Sequence, residues 1–281
     1  MATNRVRGQK ATCTRGDASI EYTYVHYCEP CEPRFLPAIM FSEIAQEELS
    51  ATLDRVAMEI LTEAGIQGPP VDAFRVAQAL GITVALDERQ PVRARFVQLK
   101  SLRGGQPRAT ILLRPEPRKE RQQWAIAHEV GERAAWRVFE ILAIDVRVTS
   151  PMARESVANY LAGRLLLPEP WFAPRAAQCD WDLLRLKGHF PTASHELIAR
   201  RMLDFAGWVI VSIFDQQQIS FRRGNLPGRA PPLSTAEKAC WRKVHEHNRP
   251  QASVDGVVQG WPIHEPGWKR EILRTAVDAF A

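Results

Sequence analysis

Residues 124–139, WAIAHEVGERAAWRVF, decide how the rest of the chain is interpreted. Small and apolar residues recur at positions 124, 127, 131, 135 and 138, and this spacing predicts a helix with one inward face. His128 lies on that face. Glu132 follows it by four residues, so both side chains project from the same side on adjacent turns. The stretch therefore places an imidazole and a carboxylate together on an otherwise apolar face.

Glu129 stands directly after His128, where the HExxH motif of zinc peptidases has its general base. Glu132 replaces the second histidine of that motif, so the sequence reads HExxE. A charge cluster of this kind on a single helix is usually a solvated face. A metal-site interpretation therefore needs support from a second element.

Residues 150–167, SPMARESVANYLAGRLLL, supply that second element. Ser150 suits a helix N-cap, Pro151 suits the first helical position, and Pro168 ends the pattern. Two polar residues, Glu155 and Asn159, fall on the inward stripe formed by Met152, Ala158, Ala162, Leu165 and Leu166.

Burying an unpaired carboxylate is costly, so Glu155 needs a partner. One candidate is a metal shared with His128, with Asn159 hydrogen-bonded behind the ligands. The other is an arginine at the rim of the fold, such as Arg133 or Arg137.

The two segments AHEVGE (127–132) and RESVANYLAGRLLLP (154–168) together resemble the signature of the ImmA/IrrE metallopeptidases. A Pro-Val-Asp turn, a short helix, a glycine and a strand at 70–86 extend the resemblance over about residues 54–205. The resemblance implies an α+β fold: a zincin-like metallopeptidase domain with a small antiparallel or mixed sheet, followed by a small mixed C-terminal region. It assigns metal binding to His128 and Glu155, and catalysis to Glu129. Glu132 stands where the family has its second ligand histidine.

The resemblance implies a Zn²⁺ cofactor. Because one imidazole and two carboxylates form a harder ligand set than two imidazoles and one carboxylate, Mn²⁺ and Fe²⁺ remain alternatives. The implied function is a metal-dependent endopeptidase that cleaves a regulatory protein, in this family often a helix-turn-helix repressor. The alternative is a catalytically inactive regulator that binds a repressor or DNA through the same fold, and Glu132 is the residue that separates the two.

Composition limits the other classes of function. The 281 residues are 45% hydrophobic and 25% charged, which is typical of a soluble globular protein, and no apolar run is long enough to cross a membrane. The expected location is the cytoplasm. A formal charge of +5 permits DNA binding. However, a DNA-binding factor needs a recognition helix with clustered basic residues, and the sequence has only the pairs Arg200–Arg201 and Arg222–Arg223. A stand-alone DNA-binding factor therefore ranks last.

Three regions are predicted. Residues 1–41 form an irregular or disordered extension with a CxxC pair, Cys28 and Cys31, that lacks a second such pair. Residues 42–205 form the metallopeptidase-like domain, and residues 206–281 form a small α+β region. Within the domain, strands at 92–99 and 108–113 form a hairpin, and either this hairpin or the strand at 82–86 is the candidate for binding extended substrate.

A helix is also predicted in the C-terminal region, where Ser234 and Glu237 form a capping box. His245 and His247 lie on it two residues apart and point to different faces. The sequence therefore gives no reason to expect that these two histidines bind a metal together.

Overall fold

The structure, a computed structural model, describes residues 44–99, 106–205 and 207–277, together with the backbone of strands at 10–14 and 19–23. Helices and small sheets are mixed along the chain, which confirms the predicted α+β class. Residue contacts divide the chain into two compact units, Met1–Leu166 (the N-terminal unit) and Leu167–Ala281 (the C-terminal unit). No helix among the described residues is both long and apolar enough to span a membrane.

The helices of the N-terminal unit follow the apolar spacing of the sequence. In the first of them, Leu49, Leu53, Val56 and Ile60 recur every three or four residues and are buried. Asp72 caps the second helix by accepting a hydrogen bond from Phe74 N. The helices are α1 (Gln46–Glu63), α2 (Ala73–Ala79), α3 (Lys119–Ile141) and α4 (Pro151–Leu166).

The sheet of this unit is mixed and has the strand order β3-β5-β4. Its strands are β3 (Thr83–Leu86), β4 (Ala94–Leu99) and β5 (Arg108–Leu113). Earlier in the chain, β1 (Lys10–Thr14) and β2 (Ser19–Thr23) form a separate antiparallel pair. The predicted hairpin is present, because β4 pairs antiparallel with β5, whereas β3 pairs parallel with β5. Among the described strands, β3 and β4 are the edges of this sheet.

Helices α3 and α4 pack closely because a glycine faces the contact. A Cβ added at Gly131 would lie 2.8 Å from Ala158 O and 3.1 Å from the Leu161 Cβ. This close approach brings the polar residues of the two inward faces together. Arg164, which is 4% exposed, holds α4 to α1 by donating to the Ser50 hydroxyl at 2.9 Å.

We expect Gly131→Ala to destabilise the protein by about 1–2 kcal/mol and to weaken metal binding. The added methyl group meets backbone, so the helices must separate, and the overpacking cost of about 1–3 kcal/mol exceeds the gain of about 1 kcal/mol in helix propensity. Urea denaturation and metal titration measure the two effects. Gly188→Ala is the matched control, because a Cβ at this exposed helical glycine has no neighbour within 4 Å. Equal stability of the two variants would contradict the close-packing argument.

The C-terminal unit begins with short helices. Asp182 and Ser194 cap two of them through Arg185 N and Leu197 N. The helices are α5 (Glu169–Gln178), α6 (Leu183–His189) and α7 (His195–Arg201), continued by a 3-10 turn at Met202–Asp204, and later α8 (Thr235–His247). The turn between α5 and α6 uses positive φ angles at Asp180 and Trp181.

An antiparallel sheet with the strand order β7-β6-β10-β9-β8 fills the rest of this unit. Its strands are β6 (Trp208–Asp215), β7 (Gln218–Gly224), β8 (Gln251–Ala252), β9 (Val258–Pro262) and β10 (Arg270–Val277). Strands β6 and β7 are neighbours in the chain and pair antiparallel as a hairpin.

Helix α8 covers one face of this sheet. Its Cys240 and Val244 form a buried cluster with Phe214, Val258 and Leu273 from the strands. The helix approaches the sheet closely at Gly260, where an added Cβ would lie 2.8 Å from the Val244 Cγ2. Alternate residues of β10 point to one face, so Glu271, Leu273 and Thr275 face the helix.

Glu237 anchors the N-terminal end of α8 to the sheet. The predicted capping box is present, with Ser234 N donating to the Glu237 carboxylate at 2.7 Å. The same carboxylate accepts two hydrogen bonds from Arg222, at 2.9 and 3.0 Å, and one from the Thr275 hydroxyl at 2.8 Å. Burial raises the pKa of Glu237, but these hydrogen bonds outweigh burial and the net shift is downward.

We expect Glu237→Gln to lower the free energy of unfolding by about 3–5 kcal/mol at neutral pH, because it leaves the guanidinium of Arg222 buried without its anion. Since the folded-state pKa is lowered, the contribution of this carboxylate is present above its ordinary value and is lost as pH falls through the lowered one. The denaturation curves of Glu237→Gln and of wild type should therefore converge in acid. Glu246→Gln, an exposed change on the same helix, is the control. A difference between Glu237→Gln and wild type that does not depend on pH would contradict the argument.

The division between the two units lies at Leu166/Leu167, before the boundary predicted at residue 205. The reason is that α6 and α7 bond to the C-terminal sheet. Trp261 Nε1 donates to Asp182 at 3.0 Å, and Arg270 donates to Glu196 at 2.7 Å. These contacts join the helices to β9 and β10, which follow much later in the chain.

The expectations for the start of the chain are only partly covered by the structure. Residues 10–14 and 19–23 pair as β1 and β2, and the remainder of the predicted irregular extension 1–41 lies outside the described residues. Cys28 and Cys31 also lie outside them. Cys179 and Cys240 are buried free thiols in the C-terminal unit.

Candidate metal centre

His128 and Glu155 meet across the contact between α3 and α4. The His128 Nε2 lies 3.5 Å from the Glu155 Oε1, and the histidine side chain is 17% exposed. Helical spacing places each residue on the inward face of its own helix, and the Gly131 contact brings the two faces together. The predicted proximity of these two residues is therefore present in the structure.

Asn159 orients both members of this pair. Its Nδ2 donates to the Glu155 Oε1 at 3.3 Å, and its Oδ1 lies 3.1 Å from the His128 Nδ1. Because the amide oxygen can only accept, the histidine Nδ1 carries a proton and donates it to Asn159, and this directs the Nε2 at Glu155. This is the arrangement that a metal-binding histidine and its supporting partner require.

The charges of the site shift the pKa values of the pair in opposite directions. Burial lowers the pKa of His128, but the hydrogen bond and charge of Glu155, with the charges of Glu129 and Glu132, outweigh burial and raise it. The hydrogen bond from His128 lowers the pKa of Glu155 although burial opposes this. The carboxylate of Glu155 is therefore held ionised, as a metal ligand must be.

Glu129 projects from α3 toward strand β4. The residue is 7% exposed, and its Oε2 accepts a hydrogen bond from Phe96 N at 2.7 Å. Burial, with a smaller effect from the charge of Glu132, raises the pKa of Glu129 to about 7, although His128 and the Phe96 N–H oppose the shift. A carboxyl group with a pKa near neutrality suits proton transfer at physiological pH.

Glu132 is partly buried and lies close to His128 and Glu129. Each of His128, Glu129 and Glu132 offers a ligand atom, and these atoms lie within 4.8 Å of one another. Metal bonds to histidine nitrogen and carboxylate oxygen are about 2.0–2.2 Å long, so two ligand atoms 3.5 Å apart, as in His128 and Glu155, fit one ion. The separation of His128 and Glu155 therefore fits one divalent cation, and the ligand roles of His128, Glu132 and Glu155 stay predictions.

The arginines proposed as an alternative partner for Glu155 bond elsewhere. Arg137 donates to Glu63 at 2.5 and 3.0 Å, and the guanidinium of Arg133 lies 5.1 Å from the centroid of the Phe96 ring. The contacts of Glu155 are those with His128 and Asn159. The metal interpretation of this carboxylate is thus the better supported one.

The basic pairs considered for DNA binding are largely used inside the C-terminal unit. Arg201 is 4% exposed and donates to Leu167 O at 3.1 Å. Arg200 pairs with Glu196 at 2.6 Å, and Arg222 bonds Glu237. These contacts leave little free positive charge at the positions that the sequence had offered for DNA.

A second group of polar residues was missed by the sequence interpretation. His245, which had been compared only with its neighbour His247, lies beside His264 and Glu271. The sequence holds one indication of this group, because Glu271 is a charged residue at the start of the otherwise largely apolar strand segment EILRTAV. The contact itself joins positions 26 residues apart, and helical spacing does not reveal it.

The fold and the two facing helices define the class: a zincin-like α+β domain of the metallopeptidase type, followed by a C-terminal region built on its own sheet. Residues 77–202 match the family model Peptidase_M78, described as the IrrE N-terminal-like domain. Over these residues the chain is similar to the ImmA/IrrE family, and the resemblance carried by the two motifs is confirmed.

The comparison with solved structures shows the same fold at low sequence identity. A "Mycobacterium tuberculosis transcriptional regulator" is 19% identical and gives a TM-score of 0.56, with 82% of this chain and 80% of that chain covered. Among curated proteins, none matches the sequence.

Proposed function

We propose that the protein is a metal-dependent endopeptidase that acts on a regulatory protein. The observation that carries the proposal is the approach of the His128 Nε2 and the Glu155 Oε1 to 3.5 Å from two different helices. Glu132, one turn from His128, completes the proposed ligand set. A divalent metal held there, Zn²⁺ by family likeness, would supply Lewis-acid polarisation of the scissile carbonyl.

Glu129 is the proposed proton carrier. Its buried carboxylate would accept a proton from the attacking water and deliver that proton to the leaving amine of the cleaved peptide. The raised pKa, about 7, supports both halves of this task, because the group exchanges a proton readily near neutral pH. The hydrogen bond from Phe96 N fixes one carboxylate oxygen and leaves the other available to the water.

Strand β4 is the proposed binding surface for extended substrate. Of the two edge strands among the described residues, β4 is the one joined to α3 by a hydrogen bond, from Phe96 N to Glu129. That N–H is directed away from β5, so this edge of the strand faces the site. Backbone pairing along it would place a peptide beside Glu129, which favours β4 over the strand at 83–86.

A regulatory protein is proposed as the substrate, in particular a helix-turn-helix repressor. The match of residues 77–202 to the IrrE N-terminal-like domain supports it, and a structural neighbour is described as a transcriptional regulator. The second candidate is a catalytically inactive regulator that binds such a repressor. It rests on one feature, the glutamate at position 132 in place of a histidine. DNA binding receives less support, because Arg200, Arg201 and Arg222 already have partners.

The experiment is a cleavage assay with the full-length chain and a helix-turn-helix repressor encoded beside its gene. The proposal predicts cleavage that a chelator stops and that added Zn²⁺ or Mn²⁺ restores. Stable binding of the repressor without cleavage, with either metal present, would favour the inactive regulator. If the repressor is neither cleaved nor bound, this choice of partner is rejected.

A further inference from the structure

A buried carboxylate in the C-terminal unit has two imidazoles directed at one of its oxygens. Glu271 on β10 is fully buried. Its Oε1 lies 2.8 Å from the His245 Nδ1 and 2.7 Å from the His264 Nε2. The two histidine side chains are 19% and 12% exposed, so solvent reaches the group from the imidazole side.

The fold brings these residues together from three elements. Glu271 stands near the start of β10, on the face that packs against α8, two residues before the core residue Leu273. His245 lies in the last turn of α8, two turns beyond Glu237, which bonds Thr275 of the same strand. His264 follows β9 in the connection to β10, where Ile263 N bonds Arg270 O at 2.7 Å. Each position is thus fixed by backbone pairing or helix packing.

Trp241 holds the carboxylate in its orientation. The indole Nε1 donates to the other oxygen, Oε2, of Glu271 at 3.3 Å, and the indole ring lies stacked between Phe214 and His245. Oε1 is thereby directed at the two imidazoles. A hydrogen bond of this kind behind a carboxylate ligand is a regular feature of protein metal sites.

We propose that His245, His264 and Glu271 form a second divalent metal site, suited to Zn²⁺. Two imidazole nitrogens and one carboxylate oxygen are a common donor set for this ion, and the fourth position is left to water. With metal bonds of about 2.0–2.2 Å, ligand atoms lie roughly 3.3 Å apart, so separations of 2.7–2.8 Å need an opening of only about half an ångström. The bound charge would neutralise a carboxylate that is otherwise buried against the sheet.

The test uses the full-length chain with the first site removed by His128→Ala and Glu155→Ala, so that its result does not depend on the proposed peptidase function. Zn²⁺ is titrated in competition with a chromophoric chelator, and the melting temperature is measured with and without Zn²⁺. We expect stoichiometric binding and a raised melting temperature. Co²⁺ in place of Zn²⁺ should give the visible absorption of a site with nitrogen and oxygen ligands.

Four further changes in this background locate the ion. His264→Gln and Glu271→Gln keep a hydrogen-bonding amide at each position but remove a ligand, and both should abolish the Zn²⁺-dependent rise in melting temperature. Trp241→Phe keeps the aromatic stack and should weaken binding by roughly 10–100-fold. His247→Gln is the control, because this exposed histidine of α8 bonds Lys243 O and lies outside the group.

The outcomes separate a metal site from a purely structural hydrogen-bond cluster. Circular dichroism confirms that each variant is folded, and a folded His264→Gln or Glu271→Gln protein that has lost binding supports the site. The absence of saturable Zn²⁺ binding in the parent would overturn the proposal. Binding that persists unchanged in both glutamine variants would overturn it as well.

Discussion

Glu129→Gln is expected to reduce cleavage of the protein substrate by roughly 10²–10⁴-fold while leaving the fold unchanged. The substitution keeps the size of the side chain, and the amide oxygen can still accept the hydrogen bond that Phe96 N gives to Glu129 at 2.7 Å. It removes the one property that the proposed chemistry needs, the capacity to take up and release a proton. The measurement is kcat and KM for cleavage of the repressor by the metal-loaded full chain.

Glu140→Gln is the matched control. It makes the same chemical change on the same helix, but Glu140 is exposed and lies two turns beyond Glu132. We expect the control to cleave at the wild-type rate. The fall for Glu129→Gln should lie in kcat, with KM close to that of wild type, because β4 and the metal ligands are untouched. Cleavage by Glu129→Gln at the wild-type rate would remove Glu129 from the mechanism.

The two facing helices were predictable because their information is local. The spacing of His128, Gly131 and Glu132 on one helix, and of Glu155 and Asn159 on the next, determines which side chains share a face. Polar residues on otherwise apolar faces need partners, so the sequence predicts the meeting of His128 with Glu155. The caps at Ser150 and Ser234 belong to the same class of local signal.

Contacts that join distant segments could not be predicted from these patterns. The hydrogen bond from Phe96 N to Glu129 depends on the path of β4 relative to α3, which strand alternation does not specify. The group of His245, His264 and Glu271 depends on the register of β9 and β10, which pairs Glu271 with Pro262. The division of the chain at Leu166/Leu167 also depends on such contacts, since Asp182 and Glu196 bond to strands far along the chain.

The second large effect is expected at Glu132, where alanine should remove metal binding and histidine should retain or strengthen it. Glu132 projects from the helical position at which the family has a histidine, and its side chain is long enough to reach the same ion. We expect Glu132→Ala to weaken metal binding by more than the roughly 10–100-fold that loss of an outer hydrogen-bond partner costs. Measurements in a His264→Gln background exclude binding at the second proposed site.

Glu132→His also tests what the glutamate does to selectivity and rate. A carboxylate suits Mn²⁺ relatively better than an imidazole does, so the ratio of Zn²⁺ to Mn²⁺ affinity should rise in Glu132→His. Wild type should also cleave more slowly than this variant, because an additional negative ligand weakens the electrostatic pull of the ion on the reacting oxygen. Glu140→His, which adds an imidazole at an exposed position of the same helix, should change neither quantity.

The results at position 132 separate the enzyme from the inactive regulator. Metal bound by wild type and lost in Glu132→Ala, together with cleavage, would support a working HExxE centre. Wild type without metal or cleavage, beside a Glu132→His variant that binds metal, would show that the glutamate turned a peptidase site into a binding surface. Unchanged metal affinity in Glu132→Ala would mean that this carboxylate is no ligand, and that His128 and Glu155 hold the ion with a different partner.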